Sequence, residues 1–341
     1  MKKLKYLIIF ILPIAAYISF TSQGWLTHLP FFIAFVTVPI LELFIEPDHS
    51  NLDTVEKELA SKNWYYRIIL YSIVPIQLIL LFVFLTTWNQ DFTTSEIIGR
   101  IASMGIMCGV FGINVGHELG HKDERWEQFL GEILLLTSLE THFLPYHNYG
   151  HHFDVATPND AATARKNEWV YSFWFRSQIS SYFKAWQMDL KRLKIKKQNV
   201  LMSRMLWYTV AQVTLCTVIY TYFGALILAY FLLAALIGIL LLETVNYIEH
   251  YGLLRKQKKS GRYEVVNPTH SWNSDHLVGR LLLFELSRHS DHHHRANKPY
   301  QLLDSHSESP QMKTGYPGMM YLALVPPLWF KLMNKELIKF N

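Results

Sequence analysis

The sequence predicts an all-α integral membrane protein, with six transmembrane helices and a helical, histidine-rich cap on the cytoplasmic side. Three observations support this. Half of the 341 residues are hydrophobic and only 17% are charged, whereas a soluble chain of this length carries about a quarter. The apolar residues fall in runs near the length of about 20 that a bilayer span needs. Of 16 histidines, 13 lie between His117 and His294, in clusters with metal-ligand spacing.

The apolar runs come in pairs. Residues 6–20 and 29–45 form the first, 68–88 and 97–115 the second, and 207–223 and 225–247 the third, turning near Gly224. The opening Met1-Lys2-Lys3 before an apolar stretch also has the look of a signal peptide. No small-x-small cleavage site follows it and further spans do, so it is read as the first span. A weaker run over residues 129–144 is interrupted by Glu132, Glu140 and His142. It is expected as a buried or interfacial helix lining a site. The aromatic share of 15% suits interfacial belts of Trp and Tyr.

Basic residues set the expected sidedness. Of 32 Lys and Arg, 31 fall on the face that holds both termini, the 46–67 link, the 116–206 segment and everything after residue 248; only Arg100 lies on the other. Cytoplasmic segments carry such an excess, so that face is expected inside, in the cell inner (cytoplasmic) membrane. The net charge of +5 fits membrane orientation, with no nucleic-acid partner. The run Lys191-Arg192-Leu193-Lys194-Ile195-Lys196-Lys197 is expected to meet anionic lipid headgroups; docking of an acidic electron carrier is its other reading. Cys108 and Cys216 sit inside apolar runs, so no disulfide framework is expected. No CxxC pair exists, so no fused iron–sulfur or rubredoxin-type electron carrier is expected. Without internal repeats or low-complexity linkers, residues 1–341 are expected to form a single domain.

Four histidine clusters remain. They are His117-Glu118-Leu119-Gly120-His121, His147-Asn148-Tyr149-Gly150-His151-His152, Asn246-Tyr247-Ile248-Glu249-His250 and Arg288-His289-Ser290-Asp291-His292-His293-His294. Residues i and i+4 share a helix face. That spacing puts His117 beside His121, His147 beside His151, and His289 beside His292 or His293. Neutral imidazole ligates iron and zinc. Each cluster falls at the cytoplasmic end of a span or in a cytoplasmic segment, so topology brings all four to one depth. Nine histidines fit strictly: His117, His121, His147, His151, His152, His250, His289, His292 and His293. One ion cannot use nine imidazoles, but two can. His142, His270, His276 and His294 fit less closely, and His28, His49 and His306 lie outside the pattern. Metal-bound histidines usually give their second ring N–H to a carboxylate or carbonyl. Glu118, Glu249, Asp291 and Asp154 are near enough in sequence for that role.

With these strings in view, the sequence resembles the membrane alkane monooxygenase family, the rubredoxin-dependent alkane hydroxylases, within the superfamily of membrane fatty-acid desaturases and hydroxylases. Asp154-Val155-Ala156-Thr157-Pro158, His270-Ser271-Trp272-Asn273 and Thr314-Gly315-Tyr316-Pro317 also look like the family, and the resemblance runs over residues 60–330. It implies a six-span bundle with two non-haem irons held by the nine histidines. It further implies terminal hydroxylation of an alkane or fatty alkyl substrate with O2, and electrons from rubredoxin and its reductase. One departure stands out: where the family's second motif usually opens with Glu, this chain has Tyr146. In the family a bulky side chain on the second span limits chain length, and the matching position here is Ala34, which implies an open channel.

Three rival readings differ in class. His117-Glu118-Leu119-Gly120-His121 matches the HExxH signature of zinc proteases, with Glu118 as general base, but this leaves three clusters unexplained. A fatty-acid desaturase or another lipid hydroxylase of the superfamily would use the same metal. Desaturases tend to carry HxxHH in the second cluster, where this chain has HxxxHH. A metal transporter would place its ligands near the bilayer midplane, not on one face.

Overall fold

In the computed structural model, which describes residues Lys2–Phe340, the chain is helical, and no β-strand forms among the described residues. Met1 and Asn341, the two ends of the expected 1–341 domain, lie outside the described residues. The longer helices are α1 (Lys3–Thr21), α2 (Gly24–Phe44), α3 (Thr54–Lys62), α4 (Trp64–Thr86), α5 (Thr94–Gly120), α6 (Arg125–Leu136), α7 (Val170–Ile195) and α8 (Arg204–His250). Four short ones follow: α9 (Leu277–Leu282), α10 (His289–His294), α11 (Tyr316–Ala323) and α12 (Pro326–Leu337).

Five helices, α1, α2, α4, α5 and α8, are long and apolar enough to cross a membrane. This is a multi-pass membrane protein. Helix α8 has 47 residues, which at 1.5 Å per residue is about 70 Å, over twice the hydrocarbon core of a bilayer. It breaks at Gly224, where φ is 84° and ψ is 172°. A side chain would be strained in that left-handed region, and glycine is not. The break falls at the turn expected from the sequence and divides α8 into two apolar arms.

The chain forms two compact units. The first comprises residues 2–37, Trp64–Leu144 and Ala185–Leu241; the second comprises Val38–Asn63, Pro145–Lys184 and residues 242–340. In the first unit, large apolar side chains such as Ile14, Ile79, Phe82 and Leu226 are exposed, as a lipid-facing surface requires. Polar groups turn inward and pair instead. Ser19 Oγ and Ser103 Oγ both donate to the Thr27 carbonyl, at 2.6 and 2.9 Å. Gln77 donates to Thr137 Oγ1 at 3.2 Å. Arg100, the basic residue set apart in the sequence, donates to the Thr87 carbonyl at 2.7 Å and stacks on Trp88.

Helices α5 and α6 cross where neither has a side chain. A Cβ on Gly131 would lie 2.7 Å from the Gly116 carbonyl oxygen, and one on Gly116 would lie 2.9 Å from Leu135 Cγ. This close approach holds the end of α5, with His117 and His121, against α6. The apolar run over 129–144 is not the one helix expected. It is α6 followed by a turn in which Leu139 takes φ 55°. The chain reverses there because Ser138 donates its hydroxyl to the Cys108 carbonyl at 3.0 Å and Gln212 donates to the Leu139 carbonyl at 2.8 Å. Helix α7 leaves Tyr171, Phe175, Ile179 and Phe183 exposed at four-residue spacing and ends in the basic run. That pattern is an exposed apolar stripe along one helix face.

Gly131→Ala should destabilise the protein by about 1–3 kcal/mol, because a backbone carbonyl cannot yield to the added methyl as a flexible side chain would. The melting point of the detergent-solubilised variant, read by intrinsic fluorescence, checks this; an unchanged melting point would refute the close crossing.

Candidate metal centre

Seven histidines of the second unit gather into two neighbouring groups. The first is His151, His250, His289 and His293, all buried, with ligand atoms within 4.8 Å of one another. His151 Nε2 lies 3.2 Å from His293 Nε2, and His250 Nε2 lies 3.1 Å from His289 Nε2. The second group is His147, His152 and His292. His147 and His152 bring their Nε2 atoms to 2.9 Å, and the His292 ring lies 4.9 Å from that of His152. In the first unit, the end of α5 pairs His117 Nε2 with His121 Nε2 at 3.0 Å.

Local helix geometry explains this sorting. His147–His151 forms a π-helical turn, in which residues five apart meet. His147 therefore shares its direction with His152, and His151 is sent to the other group. His147 and His151 lie side by side as expected from the sequence, with ring centroids 5.2 Å apart, but their ligand atoms belong to different groups. Helix α10 is regular, so His289 and His293 share a face and His292 points to the second group. A further π-helical turn, Cys108–Ile113, precedes His117 in α5.

The donor sets fit metal ions. Metal–imidazole bonds are about 2.0–2.1 Å, so ligands 90–110° apart around one ion sit about 2.8–3.4 Å from each other. The nitrogen separations here are 2.9–3.2 Å. Imidazole must be neutral to ligate. Burial, followed by the charges of the neighbouring His289, His152, His151 and His250, holds the imidazolium form of His293 well below its usual range.

The supports come from residues that spacing alone did not reveal. His151 Nδ1 lies 2.9 Å from Asp160 Oδ2. A proton on Nδ1 in that bond leaves the Nε2 lone pair facing the group. Tyr146 donates to Asp160 Oδ1 at 2.7 Å, Thr163 donates to Oδ2 at 2.6 Å, and Tyr146 accepts from the Ala161 N–H at 2.7 Å. Burial opposes ionisation of Asp160. The charge and hydrogen bond of His151, with those from Thr163 and Tyr146, outweigh it and hold the carboxyl well below the usual carboxylate range. Tyr146, the departure noted in the second motif, is thus a donor to a carboxylate where the resembling family usually has a carboxylate.

The segment leading into α10 is clamped by Arg288. Its guanidinium donates to Asp275 Oδ1 at 3.1 Å, to the Leu303 carbonyl at 2.7 Å and to the Ser50 carbonyl at 2.8 Å. Just before it, Phe284 and Glu285 sit at φ 53° and 58°, and the Arg280–Glu285 ion pair at 2.8 Å holds that bend.

The candidate carboxylates part company. Glu249 Oε2 lies 3.2 Å from His289 Nε2. Glu118 pairs with Lys122 at 2.5 Å. Asp291 meets Lys298, His306 Nε2 at 2.8 Å and the Asp304 N–H at 2.8 Å. Asp154 accepts from Thr157 only through its backbone carbonyl. Of the histidines that fit the spacing less closely, His142 lies 3.3 Å from Glu140, His270 lies 3.1 Å from Glu264, and His276 Nδ1 lies 3.1 Å from Ser274 Oγ. Burial pushes His142 down to about 4. His294 is exposed against the His306 ring. His28 meets Ser95 and His49 meets Asp275.

Comparison with known proteins agrees with this chemistry. The model of the fatty acid desaturase family matches residues 97–323. Alkane 1-monooxygenase 1 of Pseudomonas aeruginosa is 39% identical over 87% of this chain and 79% of its own length. Alkane 1-monooxygenase 2 of Alcanivorax borkumensis is 36% identical over 98% of this chain and 90% of its own. Alkane 1-monooxygenase of Pseudomonas putida is 36% identical over 94% and 80%.

Asp160→Ala should weaken metal retention roughly 10–100-fold, the usual cost of removing the partner of a ligating histidine. Tyr146→Phe, which removes one of the donors to Asp160, should cost less. Metal loss to a chelator, timed for both variants beside the parent, checks this; equal rates for all three would refute the support.

Proposed function

The chain belongs to the alkane 1-monooxygenase family, and from that membership we propose that it hydroxylates the terminal carbon of an alkane or fatty alkyl chain to a primary alcohol. The balance is RH + O2 + 2 electrons + 2 protons giving ROH + H2O, with the electrons from a rubredoxin-type carrier and its reductase. The observation that carries the reading is the sorting of buried histidines into sets at ligand separation, in a chain whose named relatives are alkane 1-monooxygenases.

In this reading two irons are bound. His151, His250, His289 and His293 hold one. His147, His152 and His292 are ligands of the other, and His117 and His121 belong to the same nine-histidine ligand set. Bound iron supplies O2 activation, which no amino-acid side chain can. The protein's residues do the remainder. Asp160 orients His151, Arg288 sets the entry of α10, and apolar helices receive a substrate that partitions out of water by about 0.8 kcal/mol per CH2 group. The break at Gly224 supports reading α8 as two spans, six in all. The basic excess supports a site and termini on the cytoplasmic side of the inner membrane, with Lys191–Lys197 against anionic headgroups. Residues 1–341 act as one functional domain. Ala34, half-buried in α2, leaves the alkyl path open to longer chains.

Elemental mass spectrometry of the purified protein should find about two irons per chain, and fewer in His292→Ala. With O2, rubredoxin and its reductase, an alkane should give the 1-alkanol. One zinc per chain without iron would overturn the oxygenase reading, and an alkene product would make the protein a desaturase. Ala34→Trp should shorten the products made from an alkane mixture; unchanged lengths would remove Ala34 from the alkyl path.

A further inference from the structure

Glu249 is the last residue before His250 at the end of α8, and it is buried, as is Tyr316 at the start of α11. Tyr316 donates its hydroxyl to Glu249 Oε1 at 2.6 Å. The Glu249 carbonyl accepts from the Trp272 N–H at 2.8 Å. Backbone and one carboxylate oxygen are therefore pinned, and the other oxygen is aimed. Oε2 lies 3.2 Å from His289 Nε2, within the spread of separations of the histidine nitrogens from each other.

That spacing has a consequence once an ion is bound. A ligating Nε2 carries no proton, so His289 has nothing to donate to Oε2. Two lone-pair atoms would then face one another at hydrogen-bond distance in a water-poor interior. Such a pair is unfavourable unless a cation lies within reach of both. The four imidazoles are neutral donors, so an ion among them keeps its whole charge, and buried charge needs a counter-charge. Asp160 cannot face the ion, because its oxygens are taken up by His151 Nδ1, Thr163 and Tyr146.

We propose that Glu249 is the carboxylate ligand of the four-histidine site, with Oε2 offered to the ion and Oε1 held by Tyr316. The inference rests on the iron reading given above. It makes the two sites chemically unequal: one is bound by nitrogen alone, the other by four nitrogens and one oxygen. Tyr316 is a positioning residue, since it acts through Glu249.

Mössbauer spectra of the 57Fe-loaded, reduced holoenzyme separate the possibilities. The parent should show two ferrous doublets of equal area. Glu249→Gln should shift or remove one doublet and leave the other in place. Iron loss to a chelator from that site should speed up at least roughly tenfold. Tyr316→Phe keeps the carboxylate and guards against a folding defect in the first variant; it should perturb the same doublet, less strongly. Two unchanged doublets with parental rates of iron loss in both variants would overturn the proposal and make Glu249 a hydrogen-bond acceptor of His289. A parent that binds no iron would overturn the iron centre itself, and this inference with it.

Discussion

The convergence of buried imidazole nitrogens is the constraint on which this structure turns. Nε2 atoms brought to 2.9–3.2 Å of each other can share a proton pair by pair, but a ligating set must turn every Nε2 lone pair to one point. Each neutral imidazole has one donor and one acceptor nitrogen. Directing every Nε2 inward leaves acceptors facing acceptors, a costly arrangement in a medium of low dielectric. A cation changes the sign of that interaction, because metal binding and local folding are then one free energy. The backbone around the histidines departs from regular helix and is held by side chains: two π-helical turns, two consecutive left-handed residues and an arginine with several acceptors.

The membrane imposes a second constraint that works in the same direction. Within hydrocarbon every backbone polar group must be paired inside its own helix. Departures from regular helix are therefore confined to places where side chains take up the difference. Ser138 and Gln212 do so at the Leu139 turn. At Gly224 there is no side chain to strain. The π-helical turn at Cys108–Ile113 widens α5 just before His117, and the glycines Gly116 and Gly131 let the helix end pack without a gap. Apolar periodicity builds the spans, and the interruptions of that periodicity position the ligands.

Much of this was legible in the sequence, and the parts that were not share a physical cause. Apolar run lengths located the membrane helices and the Gly224 turn, since both depend on composition along the chain. The histidine clusters were legible because ligand spacing is local. The sorting of His147 with His152 rather than His151 was not, because a π-helical turn changes the register by one residue with no compositional signature. Asp160 was missed for a different reason. It reaches His151 from an irregular loop, where separation in sequence says nothing about direction in space. Glu118 meets Lys122, and Asp291 meets Lys298 and His306. Proximity in sequence finds a neighbour, but only packing decides which of its partners a carboxylate faces.

The Tyr146 substitution shows how such a site tolerates change. The negative charge near His151 is needed to hold its tautomer, and Asp160 supplies it from the loop. A second carboxylate at position 146 would lie beside the first, and like charges at hydrogen-bond distance in a buried site raise each other's cost of ionisation. A phenol avoids that conflict and adds a donor to Asp160 Oδ1, while its oxygen accepts the Ala161 N–H. Tyrosine therefore joins the loop to the histidine motif by hydrogen bonds that need no counter-charge. The same logic recurs at Glu249, where the phenol of Tyr316 holds one oxygen and leaves the other to face His289. In both places a tyrosine fixes the orientation of a carboxylate without competing for the charge of a metal ion, so the carboxylate's direction, rather than its presence, decides whether it supports a ligand or serves as one.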